Sequence, residues 1–225
     1  MPGILYLVST PIGNYDEITL RAVSVLKEVN LIVCEEFREA NRLLAHLQIQ
    51  KKLTLLNEHS KEEESMQLLL LLLEGKNLAL ISDCGTPVFS DPGLDLVNLC
   101  IRNKVKVTPV AGANSLLPSL ITSGFNLNSF YYAGWLSPKK DIRRKELHSL
   151  RSIKNVIVLM DTPYRLRSLL IDVKSSFGSN TPVSLAYEIS TPKELFLHGS
   201  ISEVSAVADS RNLKGEFVLI INNRK

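Results

Sequence analysis

No two of the eleven glycines in this sequence are separated by a single residue, so the G-x-G-x-x-G dinucleotide fingerprint is absent. Nor is there a Gly-Lys-Ser/Thr from which to build a phosphate-binding P-loop. The four histidines, His46, His59, His148 and His198, are scattered, with no H-x-x-x-H spacing and no cysteine pair nearby, so no metal is expected. Ser82, Ser90 and Ser115 lack the G-x-S-x-G context of a hydrolase nucleophile. Only three cysteines occur, without a C-x-x-C, and Cys34 and Cys100 lie in or beside apolar runs, which fits free buried thiols in a reducing cytoplasm. The apolar segment Ile4 to Val8 is too short for a signal peptide, and the longest purely apolar run, Leu68 to Leu73, is far below a membrane span. No membrane partner is expected.

What remains has an ordinary globular composition, with 45% hydrophobic and 22% charged residues among 225 and a net charge of +3. So mild a charge does not by itself imply nucleic acid. Apolar runs rich in β-branched residues alternate with helical patterns, the signature of an α/β fold. Strands are expected near 4–8, 31–35, 53–56, 78–82 and 105–109, with helices near 19–29, 38–47, 61–74 and 92–103. Asp16 reads as a helix entry, Gly75 as a helix stop, and Leu68 to Leu73 as a buried helix segment. The second half repeats the alternation, with strands near 130–135, 155–160, 183–188, 194–199 and 216–222 and helices near 113–123, 139–152, 164–176 and 201–209. Only Ser190 to Lys193 separates the third and fourth of these strands, so the two should pair antiparallel. Two α/β domains are expected, residues 1–112 and 113–225.

Six of the ten prolines follow threonine, and four of these Thr-Pro pairs stand in loops after expected strands: 9–14 (STPIGN), 82–87 (SDCGTP), 161–165 (DTPYR) and 190–194 (STPKE). Ligands of α/β folds bind outside the carboxyl ends of strands, where proline fixes φ and removes a competing donor. Two such loops come from each half, as a ligand held by both would require. The competing reading is that Thr-Pro merely ends strands, since the residue before proline favours extended geometry.

Thr10-Pro-Ile-Gly-Asn14, Ile18-Thr-Leu-Arg-Ala22, Ser82-Asp-Cys-Gly-Thr-Pro87 with Ser90-Asp-Pro-Gly93, and Gly134-Trp-Leu-Ser-Pro138 together resemble the small-subunit ribosomal RNA methyltransferase I family. That family belongs to the tetrapyrrole (corrin/porphyrin) methylase superfamily, and the resemblance runs from about residue 4 to 220. It implies two α/β domains of the tetrapyrrole methylase type with S-adenosyl-L-methionine in the interdomain cleft. It further implies a methyltransferase acting on a cytidine ribose 2′-hydroxyl of small-subunit (16S) ribosomal RNA, and a homodimer. Cofactor contacts implied by the resemblance are Thr10, Pro11, Asp83, Thr86, Val88, Asn114, Ser115, Met160, Ala186, Tyr187 and Gly215.

Several motifs depart from the family's pattern. Its Glu-Asp-Thr-Arg is here Glu35-Glu-Phe-Arg38, its Pro-Gly-Pro-Ser-Ala is Ala111-Gly-Ala-Asn-Ser115, and its Glu-Ser-Pro-His-Arg is Asp161-Thr-Pro-Tyr-Arg165. Its Arg-Glu-Leu-Thr-Lys is Tyr187-Glu-Ile-Ser-Thr191, and the C-terminal segment of many members is not seen. Two alternatives stay open: methylation of a small molecule such as a tetrapyrrole, and a non-catalytic S-adenosylmethionine-binding protein.

A protonated ribose hydroxyl is a poor nucleophile, so a general base is sought among carboxylates on strand-end loops, which gives Glu36 and Glu188. Each has a structural alternative as an ion-pair partner, Glu36 of Arg38 and Glu188 of Lys193. Arg38, Arg165 and Lys193 are candidate substrate contacts. So are Lys139, Lys140, Arg143 and Arg144 in the one dense basic stretch, which ends at Lys145 and follows Trp135, a base-stacking candidate. The competing picture is a solvated helix face with Trp135 in the core. Asp83 is expected to contact the cofactor, and Asp91 to cap the following helix.

Overall fold

A computed structural model describes residues 1–57 and 62–224. His59 lies outside the described residues, as does the expected helix start at 61. The chain divides into two compact units, Met1–Asn114 and Ser115–Lys225.

The first unit alternates strands β1 (Ile4–Val8), β2 (Leu31–Cys34), β3 (Leu53–Leu55), β4 (Leu78–Ile81) and β5 (Lys106–Val110) with helices α1 (Leu20–Glu28), α2 (Phe37–His46), α3 (Glu62–Leu73) and α4 (Leu94–Arg102). The strands form one sheet in the order β3-β2-β4-β1-β5, and every pairing is parallel. Strand side chains alternate faces. Ile32, Cys34, Ala79 and Ile81 pack with Ala22, Leu26 and Leu44 of α1 and α2, while Val33, Leu78 and Leu80 pack with Leu72 and Leu96 of α3 and α4. Sheets covered on both faces need strands apolar at every position, which is why β4 is buried throughout.

Two helix boundaries differ from the sequence expectation. Asp16 lies inside a short 3-10 turn, Tyr15–Glu17, capped by Asn14, and α1 starts behind Thr19, whose hydroxyl accepts the Ala22 N–H. Asp91 does not cap α4. Its N-cap is Gly93 at φ +117°, and a Cβ there would lie 2.6 Å from Leu80 Cδ2, so a side-chain cap has no room. The leucine run of α3 is also less buried than expected: Leu68, Leu69 and Leu72 enter the core, whereas Leu70 and Leu73 are exposed.

The second unit contains α5 (Leu116–Thr122), β6 (Phe130–Trp135), α6 (Lys140–Leu150), β7 (Val156–Asp161), α7 (Leu166–Phe177), β8 (Pro182–Tyr187), β9 (Leu195–Ser200), α8 (Ile201–Ser210) and β10 (Phe217–Asn222). Its sheet order is β6-β7-β10-β8-β9; β6 and β7 are parallel, and the other pairs, including the expected β8–β9 hairpin, are antiparallel. Ile157, Leu159, Leu219 and Leu185 face α6, α7 and α8, while Val156, Val158, Val218 and Ile220 pack with Leu120 of α5. A bulge between Tyr132 and Gly134 breaks the β6–β7 register, and Gly134 takes φ +65° there.

Candidate active site

Because all five strands of the first sheet are parallel, their carboxyl ends share one edge, and the loops leaving them are tied together there. The Thr10 N–H donates to the Gly85 carbonyl at 2.8 Å, and the Thr10 hydroxyl donates to the Ser82 carbonyl at 3.1 Å. The Ser9 and Thr86 hydroxyls lie 3.0 Å apart, and Thr86 also donates to the Ala113 carbonyl at 3.4 Å. A Cβ on Gly112 would sit 2.9 Å from Ser9 Cβ, so the loop after β5 reaches this close to β1 only as glycine. Val88, a β-branched residue, is held at φ +70°, a conformation such residues rarely adopt and one that clusters at ligand sites. Thr10, Pro11, Asp83, Thr86, Val88 and Asn114 therefore all stand on strand-end loops at one edge.

The loop after β2 joins through acidic groups. The Glu36 N–H donates to Asp83 Oδ1 and the Asp83 N–H to Glu35 Oε1, each at 3.3 Å. Burial pushes the Glu35 carboxyl up to about 7, and the nearby Asp91 and Asp83 charges add to the rise. Burial likewise raises Asp83 and Asp91, and it carries the adjoining Cys34 thiol up to about 12. The sequence points to Asp83 and to Asp91 only as a cap, and it does not single out Glu35, because adjacency of β2 and β4, not chain order, brings Glu35 to this loop.

Three carboxylates with one raised so far make a stability prediction. A group whose folded pKa exceeds its unfolded value near 4.5 subtracts stability as pH rises between the two values. Glu35→Gln keeps the acceptor for the Asp83 N–H and removes the charge. It should leave stability unchanged at pH 4 and raise it at pH 8 by on the order of 1 kcal/mol, discounted for partial solvent access, or roughly 2–4 °C in Tm. Melting curves at both pH values check this; an equal shift at both would show that charge is not the cause.

In the second unit, Met160, Ala186, Tyr187 and Gly215 meet at one end of the sheet. Val218 pairs with Met160 on one side and Ala186 on the other, and Gly215 lies two residues before Phe217. Glu188, at φ +50°, accepts the Glu216 N–H at 2.6 Å and donates its own N–H to the Glu216 carbonyl at 2.8 Å. Its carboxylate occupies the space that a Cβ on Gly215 would need. Glu188 is thus held by backbone rather than paired with Lys193, which is exposed, and Arg38 pairs with Glu39 rather than Glu36. Ser115 is the N-cap of α5 but makes no side-chain cap bond; its carbonyl accepts the Ser119 hydroxyl.

The basic stretch splits. Lys139, Lys140 and Lys145 are exposed, but Arg143 is only 3% exposed. Its guanidinium is bound by Asp172 at 2.7 and 3.0 Å and donates to the Pro138 carbonyl at 3.3 Å. Arg143 is therefore corrected from a substrate contact to a core ion pair: its donors are spent inside the fold. Arg144 bonds the other Asp172 oxygen at 2.8 Å while remaining half exposed. Arg165 pairs with Asp161, buried at the end of β7, yet Asp161 Oδ2 and Arg165 Nη1 are both buried without a partner. Trp135 is 45% exposed, so it is not a core residue.

A family model described as tetrapyrrole (corrin/porphyrin) methylases matches residues 4–205. Ribosomal RNA small subunit methyltransferase I of Halalkalibacterium halodurans is 39% identical over 219 residues, covering 97% of this chain and 75% of that protein. The chain belongs to the ribosomal RNA small subunit methyltransferase I family. The Thermotoga maritima protein of the same name is 36% identical over 223 residues, which is 99% of this chain and 100% of that protein. Among solved structures, uroporphyrin-III C-methyltransferase from Thermus thermophilus complexed with S-adenosyl homocysteine is 21% identical, with a TM-score of 0.66 over 97% of each chain, which shows the fold. As a member of this family the chain is a methyltransferase. Among the described residues no helix is long and apolar enough to cross a membrane, and no group of three or more His, Cys, Asp or Glu could hold a metal ion.

Proposed function

We propose that this enzyme methylates the ribose 2′-hydroxyl of a cytidine in small-subunit ribosomal RNA, with S-adenosyl-L-methionine as donor. The observation that carries the reading is the strand-end weave of the first unit, with its acidic cluster, in a chain so similar to ribosomal RNA methyltransferases over almost its whole length. When bound, S-adenosylmethionine supplies a methyl group on a cationic sulfonium. The chain's residues fit it: Glu35, Asp83 and Asp91 offer negative charge that favours a cation. Asp161 and Arg165 each keep one buried polar atom for a further partner.

Methyl transfer is an in-line displacement, so the protein's tasks are alignment and activation of the nucleophile. We assign proton acceptance from the ribose hydroxyl to Glu36, which is exposed at the start of α2 and makes no side-chain cap bond. Glu188, fixed by Glu216, is a positioning residue. Exposed Trp135 and the exposed lysines beside it supply a stacking surface and phosphate partners for RNA.

The test is methyl transfer from labelled S-adenosylmethionine to small ribosomal subunits, followed by mapping. A 2′-O-methyl group removes the hydroxyl that attacks the neighbouring phosphate, so alkaline hydrolysis should release the label in an uncleaved dinucleotide with cytidine on its 5′ side. Label in a mononucleotide would place the methyl on a base and overturn the assigned atom. Transfer to small molecules of a cell extract but not to RNA would overturn the substrate class.

A further inference from the structure

The second unit has a cavity of about 820 Å³ lined by His148, Arg151, Lys154, Ser179, Asn180 and Asn222, among others, with no carboxylate in its wall. It opens at the opposite end of the sheet from Met160, Ala186 and Gly215, beside the last residue of β10 and the first of β8. Six-residue strands rising about 3.3 Å per residue set the two ends roughly 17–20 Å apart. The wall is held in place. Asn223 Nδ2 donates to the Arg151 and Ile153 carbonyls at 3.0 and 2.7 Å, and the Asn223 N–H donates to the Asn155 carbonyl at 3.1 Å. The side chains of His148, Arg151 and Lys154 are exposed and make no hydrogen bond or ion pair among the described residues.

The cavity is also the end of a path. Lys140, Arg144, His148 and the C-cap residue Arg151 follow one another at spacings of four, four and three along α6 and its helical C-cap, which places them on one face. All four are exposed. Over its eleven residues the helix runs about 16 Å, from the loop after Trp135 to the cavity. Two carboxylates belong to this helix: Glu146 is turned to the Ser137 N–H, and Asp141 lies one turn from Arg144 and Lys145. Asp172, packed beneath, neutralises one of the two charges of Arg143 and Arg144. The face keeps a cationic excess along its length.

We propose that this cavity is a second anchoring site for RNA, taking backbone phosphates of the molecule the enzyme methylates, with the α6 stripe leading the strand to it. The inference rests on the RNA reading above. Phosphate contacts position a nucleic acid without reading its sequence, and unpaired cations with neutral Ser and Asn donors are the groups that make them. A site at the opposite end of this sheet from Met160, Ala186 and Gly215 adds affinity for a large substrate through its backbone alone.

The test is the double variant Arg151→Gln/Lys154→Gln, compared with Lys27→Gln/Arg102→Gln, which removes the same charge from exposed positions of the first unit. Binding of 16S ribosomal RNA is measured across a salt series, with steady-state methylation of small ribosomal subunits alongside. Loss of two phosphate contacts should flatten the slope of log K against log salt by roughly 1.4–1.8 and weaken binding roughly tenfold or more near 0.15 M salt. KM for the subunit should rise, with kcat and S-adenosylmethionine affinity unchanged. An unchanged slope, or an equal change in the control pair, overturns the cavity site and leaves the RNA reading standing. Loss of inorganic triphosphate binding with RNA binding intact makes the cavity a site for a free anion and also overturns it. Failure of the wild-type protein to bind or methylate RNA overturns both.

Discussion

Asp172→Ala should destabilise the second unit by about 3–5 kcal/mol, the cost of removing one partner of a buried ion pair, and lower its Tm by roughly 10 °C. Asp172 is 1% exposed and is shared by two guanidinium groups. Its loss leaves Arg143 buried with only the Ser137 and Pro138 carbonyls as partners, at 3.5 and 3.3 Å. Arg144→Gln breaks the half-exposed side of the same triad and should cost less than about 1 kcal/mol. The order of the two variants is the test, since equal losses would mean that burial of the pair is not what matters. Their dependence on pH follows from the Asp172 carboxyl. Burial alone would raise it, but the Arg144 and Arg143 hydrogen bonds outweigh burial and hold it below the usual carboxylate range. The ion-pair contribution is therefore complete above the unfolded value near 3.8 and disappears as pH falls through the lower folded value. The gap between wild type and Asp172→Ala should be constant from pH 5 to 8 and narrow toward pH 2.

The same triad shows what a sequence reveals and what it hides. Element positions were legible because α/β strands and helices carry different periodicities. β1 and β6 begin and end where expected, and most other boundaries shift by one or two residues. The two Thr-Pro loops of the first unit were legible as neighbours because a parallel sheet collects its strand ends at one edge. Arg143 was not legible, since five cations in seven residues look alike until the helix turns one of them inward to meet Asp172, 29 residues away. The acidic cluster was hidden for a related reason: Glu35 and Asp83 are 48 residues apart and meet only because β2 and β4 are neighbours. Asp91 was misassigned because its position before α4 fits a cap, whereas the close approach of Leu80 leaves room only for Gly93 at that position.

Glu36→Gln should lower kcat for methyl transfer by about 100-fold or more, the usual contribution of a positioned general base, with cofactor affinity and the KM for RNA little changed. Glutamine keeps the size and the hydrogen-bonding oxygen of the side chain but cannot take a proton. The Glu36 hydrogen bond to Asp83 comes from its backbone N–H, and its carboxylate adds only a like charge near Asp83, so the substitution should not lower stability. Glu188→Gln is the necessary comparison. Its carboxylate accepts the Glu216 N–H at 2.6 Å, a bond that the glutamine oxygen can still accept, so a positioning role predicts a loss of less than about tenfold. Gly215→Ala should do more harm than Glu188→Gln, because the new methyl displaces the Glu188 carboxylate from that bond and leaves the backbone turn at Glu216 unsupported. Single-turnover rates with small ribosomal subunits separate the chemical step from product release and provide the measurement. A larger loss in Glu188→Gln than in Glu36→Gln would exchange the two roles, because only a group that accepts the ribose proton loses its function when its charge alone is removed.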